Sequence, residues 1–238
     1  MRLLKLRYTL DTKDALPELK ALSARSPFGC EIHVRCLLDP GNADCVLWAG
    51  SDEAGVLCAA VLRNGPVQTW LTPKGGAAAR LTDETEGFFA PPRRRTLFAA
   101  MAAAPEETAP AGVRRDPEAV WALYRTLWNG PPPPGAEARA VLFLRAANAG
   151  LADCFWIEDK AGKLAAGAQI LAANETNALI ANLFTRPACR GRGYATRLLA
   201  ACGTAAAEKG RTPVLYCEKK LRRFYAARGY REIPYRGL

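Results

Sequence analysis

The stretch Arg190-Gly-Arg-Gly-Tyr-Ala195 places two arginines and two glycines where a helix is predicted to begin. The beginning of a helix exposes backbone N–H groups and carries a partial positive charge, so arginines are unfavourable there unless an anion binds among them. Glycine at 191 and 193 permits positive φ and lets backbone amides approach a ligand closely. We therefore expect this turn to bind an anion, most readily a phosphate.

A strand is predicted before this turn and a helix after it. The apolar run 178–185 is long enough for a buried strand, and Pro187 ends it. Gly210 is a C-cap candidate for the helix. A dinucleotide-binding fingerprint would need glycine at Thr196, and no stretch supplies the Gly-x-x-x-x-Gly-Lys-Ser/Thr of a P-loop. Both of these phosphate motifs are excluded. The helix is predicted from apolar residues at helical spacing, namely Ala195, Leu198, Leu199, Cys202 and Ala206.

Two motifs together resemble those of the GCN5-related N-acetyltransferases (the GNAT family). Arg190-x-x-Gly193-x-Ala195 resembles the pyrophosphate loop of that family, whose pattern is Arg/Gln-x-x-Gly-x-Gly/Ala. Downstream, Phe224-Tyr-Ala-Ala-Arg-Gly-Tyr230 resembles the family signature Phe-Tyr-x-x-x-Gly-Phe. The two motifs occur in the family order, which makes the pair more specific than either motif alone.

The resemblance implies an N-acetyltransferase that passes the acetyl group of acetyl-CoA to a primary amine by direct attack in a ternary complex. It places the pantetheine arm along a strand that splays from its neighbour, and Tyr225 beside the departing thiolate as proton donor. No metal is expected. The cofactor-binding residues implied are Leu183, Phe184 and Thr185 on the strand and Arg190, Gly191, Arg192, Gly193, Tyr194 and Ala195 in the loop.

The general base and the acceptor stay open at this point. Three carboxylates are candidates for the base, namely Glu158, Glu175 and Glu218. The family shapes its acceptor pocket with the loop between the first two helices, here 129–135, which contains four consecutive prolines. The acceptor expected is a small-molecule or peptide amine. A basic chain favours acidic or neutral acceptors.

An internal repeat predicts the domain organisation. Similar strand-turn-strand, helix and strand-loop patterns occur in the same order in both halves of the chain. We expect an α+β fold of two GNAT-like units, each a mixed, mostly antiparallel sheet flanked by helices. The first unit, 1–108, is degenerate because its loop is Lys74-Gly-Gly76 without paired arginines, and the second, 109–238, is complete. The corresponding segments are 14–22 and 116–124, 44–60 and 153–168, and 67–81 and 180–198.

The predicted boundary lies in the Ala/Pro/Glu-rich stretch 99–112, which has the composition of a linker. Within the second unit we expect two helices after the boundary, then two strands before the apolar run, and further elements after the loop helix. The predicted ranges are 116–128 and 136–148 for the helices, 154–158, 164–172 and 213–217 for strands, a short helix with Leu221, Phe224 and Tyr225, and a last strand at 230–235.

Composition argues against several other classes of protein. Eight scattered cysteines without a Cys-x-x-Cys pair, and His33 as the one histidine, argue against a zinc site or a disulfide framework. No uncharged run of 18 residues predicts a membrane span, and charges interrupt the first apolar residues, so we expect a cytoplasmic protein. The net charge of +10 raises nucleic-acid binding as a less favoured alternative, although Arg93-Arg-Arg95 has no other explanation. A non-catalytic CoA-binding or scaffolding protein is the other alternative, and the retained Tyr225 argues against it.

Overall fold

The structure of the chain is a computed structural model. It describes residues 2–7, 29–38, 45–51, 57–64, 67–71, 98–102, 112–128, 130–132 and 135–232. The predicted helix 14–22, the loop 74–76, the arginines 93–95 and the residues after 232 lie outside this part of the chain.

Four strands from the first half form one antiparallel sheet in chain order. The predicted strand-turn-strand segment at 44–60 corresponds to the second and third strands, which pair with each other. The strands are β1 (Arg2–Arg7), β2 (Cys45–Ser51), β3 (Leu57–Asn64) and β4 (Val67–Leu71).

A second sheet has seven strands in the order β11-β5-β10-β9-β8-β7-β6. β9 and β10 are parallel, and every other neighbouring pair of this sheet is antiparallel. A mixed sheet flanked by helices confirms the predicted α+β class. The strands are β5 (Phe98–Ala102), β6 (Arg114–Arg115), β7 (Asp153–Glu158), β8 (Leu164–Ala173), β9 (Asn177–Thr185), β10 (Thr212–Glu218) and β11 (Arg231–Glu232).

Helices cover both faces of the seven-stranded sheet. α4 packs on one face, where Leu198 and Leu199 meet Phe155 and Ile180 in what we call the α4-side core. α1, α2 and α3 cover the opposite face, whose α2-side core includes Leu123. Successive strand residues point to opposite faces, so each central strand contributes to both cores. The helices are α1 (Cys30–Leu38), α2 (Val120–Trp128), α3 (Ala136–Asn148), α4 (Tyr194–Ala207) and α5 (Arg222–Ala226).

The linker prediction is wrong for residues 99–102. Strand β5 lies between β10 and β11, with Phe98 opposite Glu218 and Ala102 opposite Val214. Its sequence, Phe-Ala-Ala-Met-Ala, has the low strand propensity that is typical of linkers. Pairing with two neighbouring strands overrides that local preference.

Helix α1 was not predicted, and it packs on one face of the second sheet. It packs against β8 and β9 and against α3. The Cys30 thiol donates a hydrogen bond to the backbone oxygen of Asn177 over 3.4 Å. Two segments upstream of residue 108 therefore belong with the second sheet: β5 is one of its strands, and α1 packs on it. The division of the chain at residue 108 stays a prediction.

The described helices and strands of the second unit lie where the sequence predicted them, except β6 (Arg114–Arg115), which was not predicted. The predicted helix at 116–128 begins as a 3-10 turn, Pro117–Ala119, after Asp116, whose carboxylate accepts a hydrogen bond from the Glu118 N–H. α2 continues from Val120. The last strand is described only as Arg231–Glu232. Among the described residues, no helix is long and apolar enough to cross a membrane.

Candidate active site

A gap opens between β9 and β10 toward their carboxyl ends. The two strands pair from Asn177 and Thr212 only as far as Ile180 and Leu215. Beyond that point β9 stays paired with β8 as far as Thr185, and β10 stays paired with β5 as far as Glu218. Residues 181–185 and 216–218 therefore face each other across the gap without pairing. This is the splay that the family resemblance implies.

A bulge shapes the β9 side of the gap. Between the pairs Gln169–Ala181 and Gly167–Phe184, β9 carries one more residue than β8. Asn182 lies there with φ of 53°, and it is the one non-glycine residue with positive φ in the described chain. The extra residue reverses the alternation of side chains. As a result, Leu183 packs against the α4-side core and Phe184 against the α2-side core.

The turn at 190–195 leaves backbone donors free. A 3-10 turn, Pro187–Cys189, leads into it, and Gly191 and Gly193 adopt φ of 76° and 74°. The first hydrogen bond of α4 runs from the Arg197 N–H to the Gly193 carbonyl. Within the described chain, the N–H groups of residues 191–196 donate to no backbone acceptor. They form the cluster of donors that an anion requires.

Three arginines surround this helix start. Arg190 and Arg192 are exposed in the turn, and Arg190 Nε donates to the Thr185 carbonyl oxygen over 3.3 Å. The third is Arg228, whose Nε donates to Thr196 Oγ1 over 2.8 Å. No acidic residue lies in the first turn of α4 to balance these charges. The helix dipole adds to them, so an anion would be bound strongly here.

Arg228 was not identified from the sequence as a site residue. Its guanidinium lies 3.6 Å from the centre of the Phe224 ring, and its Nη1 donates to the Phe224 carbonyl oxygen over 2.5 Å. These contacts hold it between the short α5 and the first turn of α4. The signal that could have found it is the basic residue inside the Phe-Tyr signature.

Tyr225 is buried, with 7% of its surface exposed. Its ring meets those of Phe224 and Tyr230 edge-on, with centroid distances of 5.1 and 5.9 Å. It belongs to the α4-side core together with Cys217 of β10, and Leu183 packs against this core. Burial, and secondarily Cys217, raises the pKa of Tyr225 to about 12. The phenol is therefore protonated at neutral pH and can donate a proton or a hydrogen bond.

Only one of the three candidate carboxylates borders the gap. Glu218 ends β10 and forms an ion pair with Lys220 over 2.5 Å. Glu158 lies on β7, two strands from β9, and is paired with Arg114 over 2.9 Å. Glu175 lies in the turn before β9, at the end of that strand remote from the gap.

Five of the cysteines in the described part of the chain are buried thiols outside any disulfide, namely Cys30, Cys154, Cys189, Cys202 and Cys217. Burial raises the pKa of Cys30 and of Cys154 to about 12, so neither is a thiolate at neutral pH. Within the described part of the chain, no group of three or more His, Cys, Asp or Glu side chains could hold a metal ion.

A family model matches part of the second half of the chain. The family model described as an acetyltransferase (GNAT) domain matches residues 151–232. No curated protein is significantly similar to the chain.

Three solved structures resemble the fold along nearly the whole chain. A protein from Drosophila has a TM-score of 0.59 at 13% identity, covering 97% of this chain and 95% of that one. A GNAT-family acetyltransferase from Colwellia psychrerythraea gives 0.56 at 12%, covering 98% and 96%. A tandem GNAT protein from the clavulanic acid biosynthesis pathway gives 0.55 at 12%, covering 97% and 95%. At these identities the likeness shows the fold alone. Residues 151–232, which contain the splayed strand, the turn 190–195 and Tyr225, match the acetyltransferase domain of the GNAT family.

Proposed function

We propose that this chain is an N-acetyltransferase that transfers the acetyl group of acetyl-CoA to a primary amine. The observation that carries the proposal is the continuity of the site. The unpaired edge of β9, residues 181–185, leads into a turn whose six free N–H groups are surrounded by three arginines. An extended arm that ends in a pyrophosphate has the shape and charge to fit both parts.

The pantetheine arm and the pyrophosphate of acetyl-CoA each have a matching surface. The amides of the pantetheine arm would pair with the backbone of Leu183, Phe184 and Thr185, as an added strand pairs with a sheet edge. The pyrophosphate would accept from the backbone N–H groups of Gly191, Arg192, Gly193, Tyr194 and Ala195. Arg190 would contribute its guanidinium, because its own N–H donates to the Pro187 carbonyl oxygen. Arg228 adds charge at the same helix start.

The acetyl thioester would then lie in the gap. A neutral amine nitrogen attacks the carbonyl carbon, a C–N bond forms, and the carbonyl oxygen becomes an oxyanion that the Leu183 N–H can stabilise. Collapse of this intermediate breaks the C–S bond, and the sulfur takes a proton from the Tyr225 hydroxyl. The amine loses its own proton to a base, for which Glu218 is the candidate beside the gap.

Thermal unfolding in the presence of ligands tests the proposal. Acetyl-CoA and CoA should both raise Tm, because a ligand that binds only the folded state stabilises it, whereas an unrelated nucleotide such as GTP should not. Release of free thiol from acetyl-CoA with a panel of small-molecule and peptide amines would then identify the acceptor. A well-folded protein whose Tm does not respond to either CoA species would contradict the proposal.

We also propose that the predicted first unit, 1–108, is a degenerate GNAT-like unit that binds no CoA and that lends β5 and α1 to the second sheet. The four-stranded antiparallel sheet and the whole-chain likeness to a tandem GNAT protein support this reading. Titration calorimetry should give one CoA site per chain. A second site that survives when Arg190 and Arg192 are both replaced by glutamine would contradict it.

A further inference from the structure

Gln169 is the largest buried polar side chain of the seven-stranded sheet, and the proposed reaction does not use it. It is fully buried near the middle of β8. Its Oε1 accepts a hydrogen bond from Asn182 Nδ2 over 2.5 Å. Its Nε2 is buried with no nitrogen or oxygen partner among the described residues, although the amide also hydrogen-bonds with the Cys154 side chain opposite it on β7. Sulfur is a weak hydrogen-bond partner, so this buried amide is costly compared with an apolar side chain of similar size.

The position of Asn182 indicates why a costly buried glutamine stands at 169. Asn182 is the bulge residue of β9, and its φ of 53° is one that non-glycine residues rarely adopt. Asparagine tolerates this conformation better than most residues, but the conformation must still be held by its surroundings. The bond to Gln169 is the one side-chain hydrogen bond that Asn182 forms with a described residue.

The bulge sets which way the β9 backbone faces the gap. Before it, Leu179 belongs to the α2-side core and Ile180 to the α4-side core. Unbroken alternation would send Leu183 to the α2 side, yet it packs on the α4 side. The register between β8 and β9 shifts at 167/169 and shifts again at 170/172, so the offset is confined to the pairs around Gln169.

From this geometry we infer that Gln169 and Asn182 are a pair of positioning residues, which hold the bulge of β9 so that the backbone of 181–185 faces acetyl-CoA. The pair touches neither the thioester nor the pyrophosphate. It acts through the strand. The inference rests on the proposed function, because it assigns the unpaired edge to that ligand.

Gln169→Met and Asn182→Gly test the pair. Methionine fills a similar volume without polar atoms, and glycine adopts positive φ without a side chain. Each variant should weaken acetyl-CoA binding at least tenfold in calorimetry, while the Tm of Gln169→Met stays equal or rises. The double variant should bind no more weakly than the weaker single one, because both remove the same bond.

Hydrogen exchange gives a readout that needs no ligand. Backbone amides of 181–185 should exchange at least tenfold faster in both variants, with 177–180 unchanged. Thr204→Val is the matched control, because the Thr204 hydroxyl is buried without a hydrogen-bond partner among the residues that the structure describes but lies on α4. It should keep wild-type acetyl-CoA binding and wild-type exchange in β9.

Three results would overturn the inference. Wild-type affinity and exchange in Asn182→Gly would show that the bond is immaterial. A loss of affinity in Gln169→Met with a lower Tm and faster exchange throughout the sheet would show a merely structural role. Unchanged exchange at 181–185 in Gln169→Met would show that the strand does not depend on it. Wild-type protein that fails to bind acetyl-CoA would instead contradict the proposed function, and the exchange comparison would still decide whether the pair holds the strand.

Discussion

The Tyr225 hydroxyl is the one side-chain proton donor that the proposed reaction requires. Tyr225→Phe removes it and keeps the ring contacts with Phe224 and Tyr230. We expect kcat to fall about 100-fold, which is within the usual range for general acids. The Kd of acetyl-CoA should not change, because the hydroxyl acts on the departing sulfur and not on the bound ground state. Thiol-release kinetics and calorimetry measure the two quantities, and an unchanged kcat would remove the role.

The raised pKa of Tyr225 determines how kcat and stability should depend on pH. Because burial moves this pKa upward from 10.0 to about 12, the phenol remains a donor throughout the range in which its unfolded counterpart begins to ionise. The neutral phenol is thus favoured in the fold. The corresponding stabilisation is fully present below about pH 10 and is lost as the pH rises through about 12. We expect the kcat of the wild-type enzyme to show no alkaline decline due to Tyr225 between pH 7 and pH 10. A decline in that range that Tyr225→Phe abolishes would contradict this assignment.

The turn 190–195 and Tyr225 of the proposed site could be found from the sequence, because their residue types recur at fixed spacing in motifs. Asn182 and Gln169 could not, because the positive φ of one and the burial of the other arise only when β8 and β9 pair. The same holds for Arg228, because its contact with Thr196 joins the turn after α5 to the first turn of α4.

The packing of α2 on the sheet depends on Gly167 of β8. A Cβ there would lie 2.3 Å from Leu123 Cδ1 and 2.8 Å from Phe184 Cε1, and the Leu123 side chain is fully buried. Gly167→Ala should therefore push α2 away from the sheet and displace Phe184, lowering the free energy of unfolding by about 1–3 kcal/mol. Because Phe184 lies on the strand that borders the gap, acetyl-CoA affinity should fall as well.

Urea unfolding measures the stability of Gly167→Ala, and calorimetry measures its acetyl-CoA affinity. Gly130→Ala is the control, because its nearest contact is an ordinary 3.7 Å to the Trp128 carbonyl oxygen and its φ is not positive. The control should be neutral or slightly stabilising. Equal stabilities of the two variants would show that α2 does not pack as closely on β8 as the structure indicates.

Elements with strong local patterns were predicted, and those whose residues come together from distant parts of the chain were not. α4 and β9 could be read from helical spacing and a continuous apolar run. β5 could not, because five residues rich in alanine carry little strand preference and are fixed only by β10 and β11. The nine residues of α1 are similarly placed by packing on β8 and β9.

The two predicted halves of the molecule share one sheet, which bears on whether the second half can fold alone. A chain of residues 109–238 would lack α1 and β5, leaving β10 without its antiparallel neighbour and β11 without any. Each hydrogen bond of the lost ladder contributes roughly 0.5–1.5 kcal/mol. Five paired residues therefore represent several kcal/mol, set against a total stability of about 5–15 kcal/mol for a typical domain.

We therefore expect the chain 109–238 to lose cooperative thermal unfolding and acetyl-CoA binding, although it contains every residue of the acetyltransferase domain match. A chain of residues 96–238 restores β5 and should recover part of both properties, because β5 borders β10 on the side away from the gap and holds Glu218 in place. Circular dichroism melting and calorimetry with acetyl-CoA compare the two with the full chain. If 109–238 melts cooperatively at the full-chain Tm and binds acetyl-CoA equally well, then β5 and α1 are dispensable, and residue 108 is a true domain boundary.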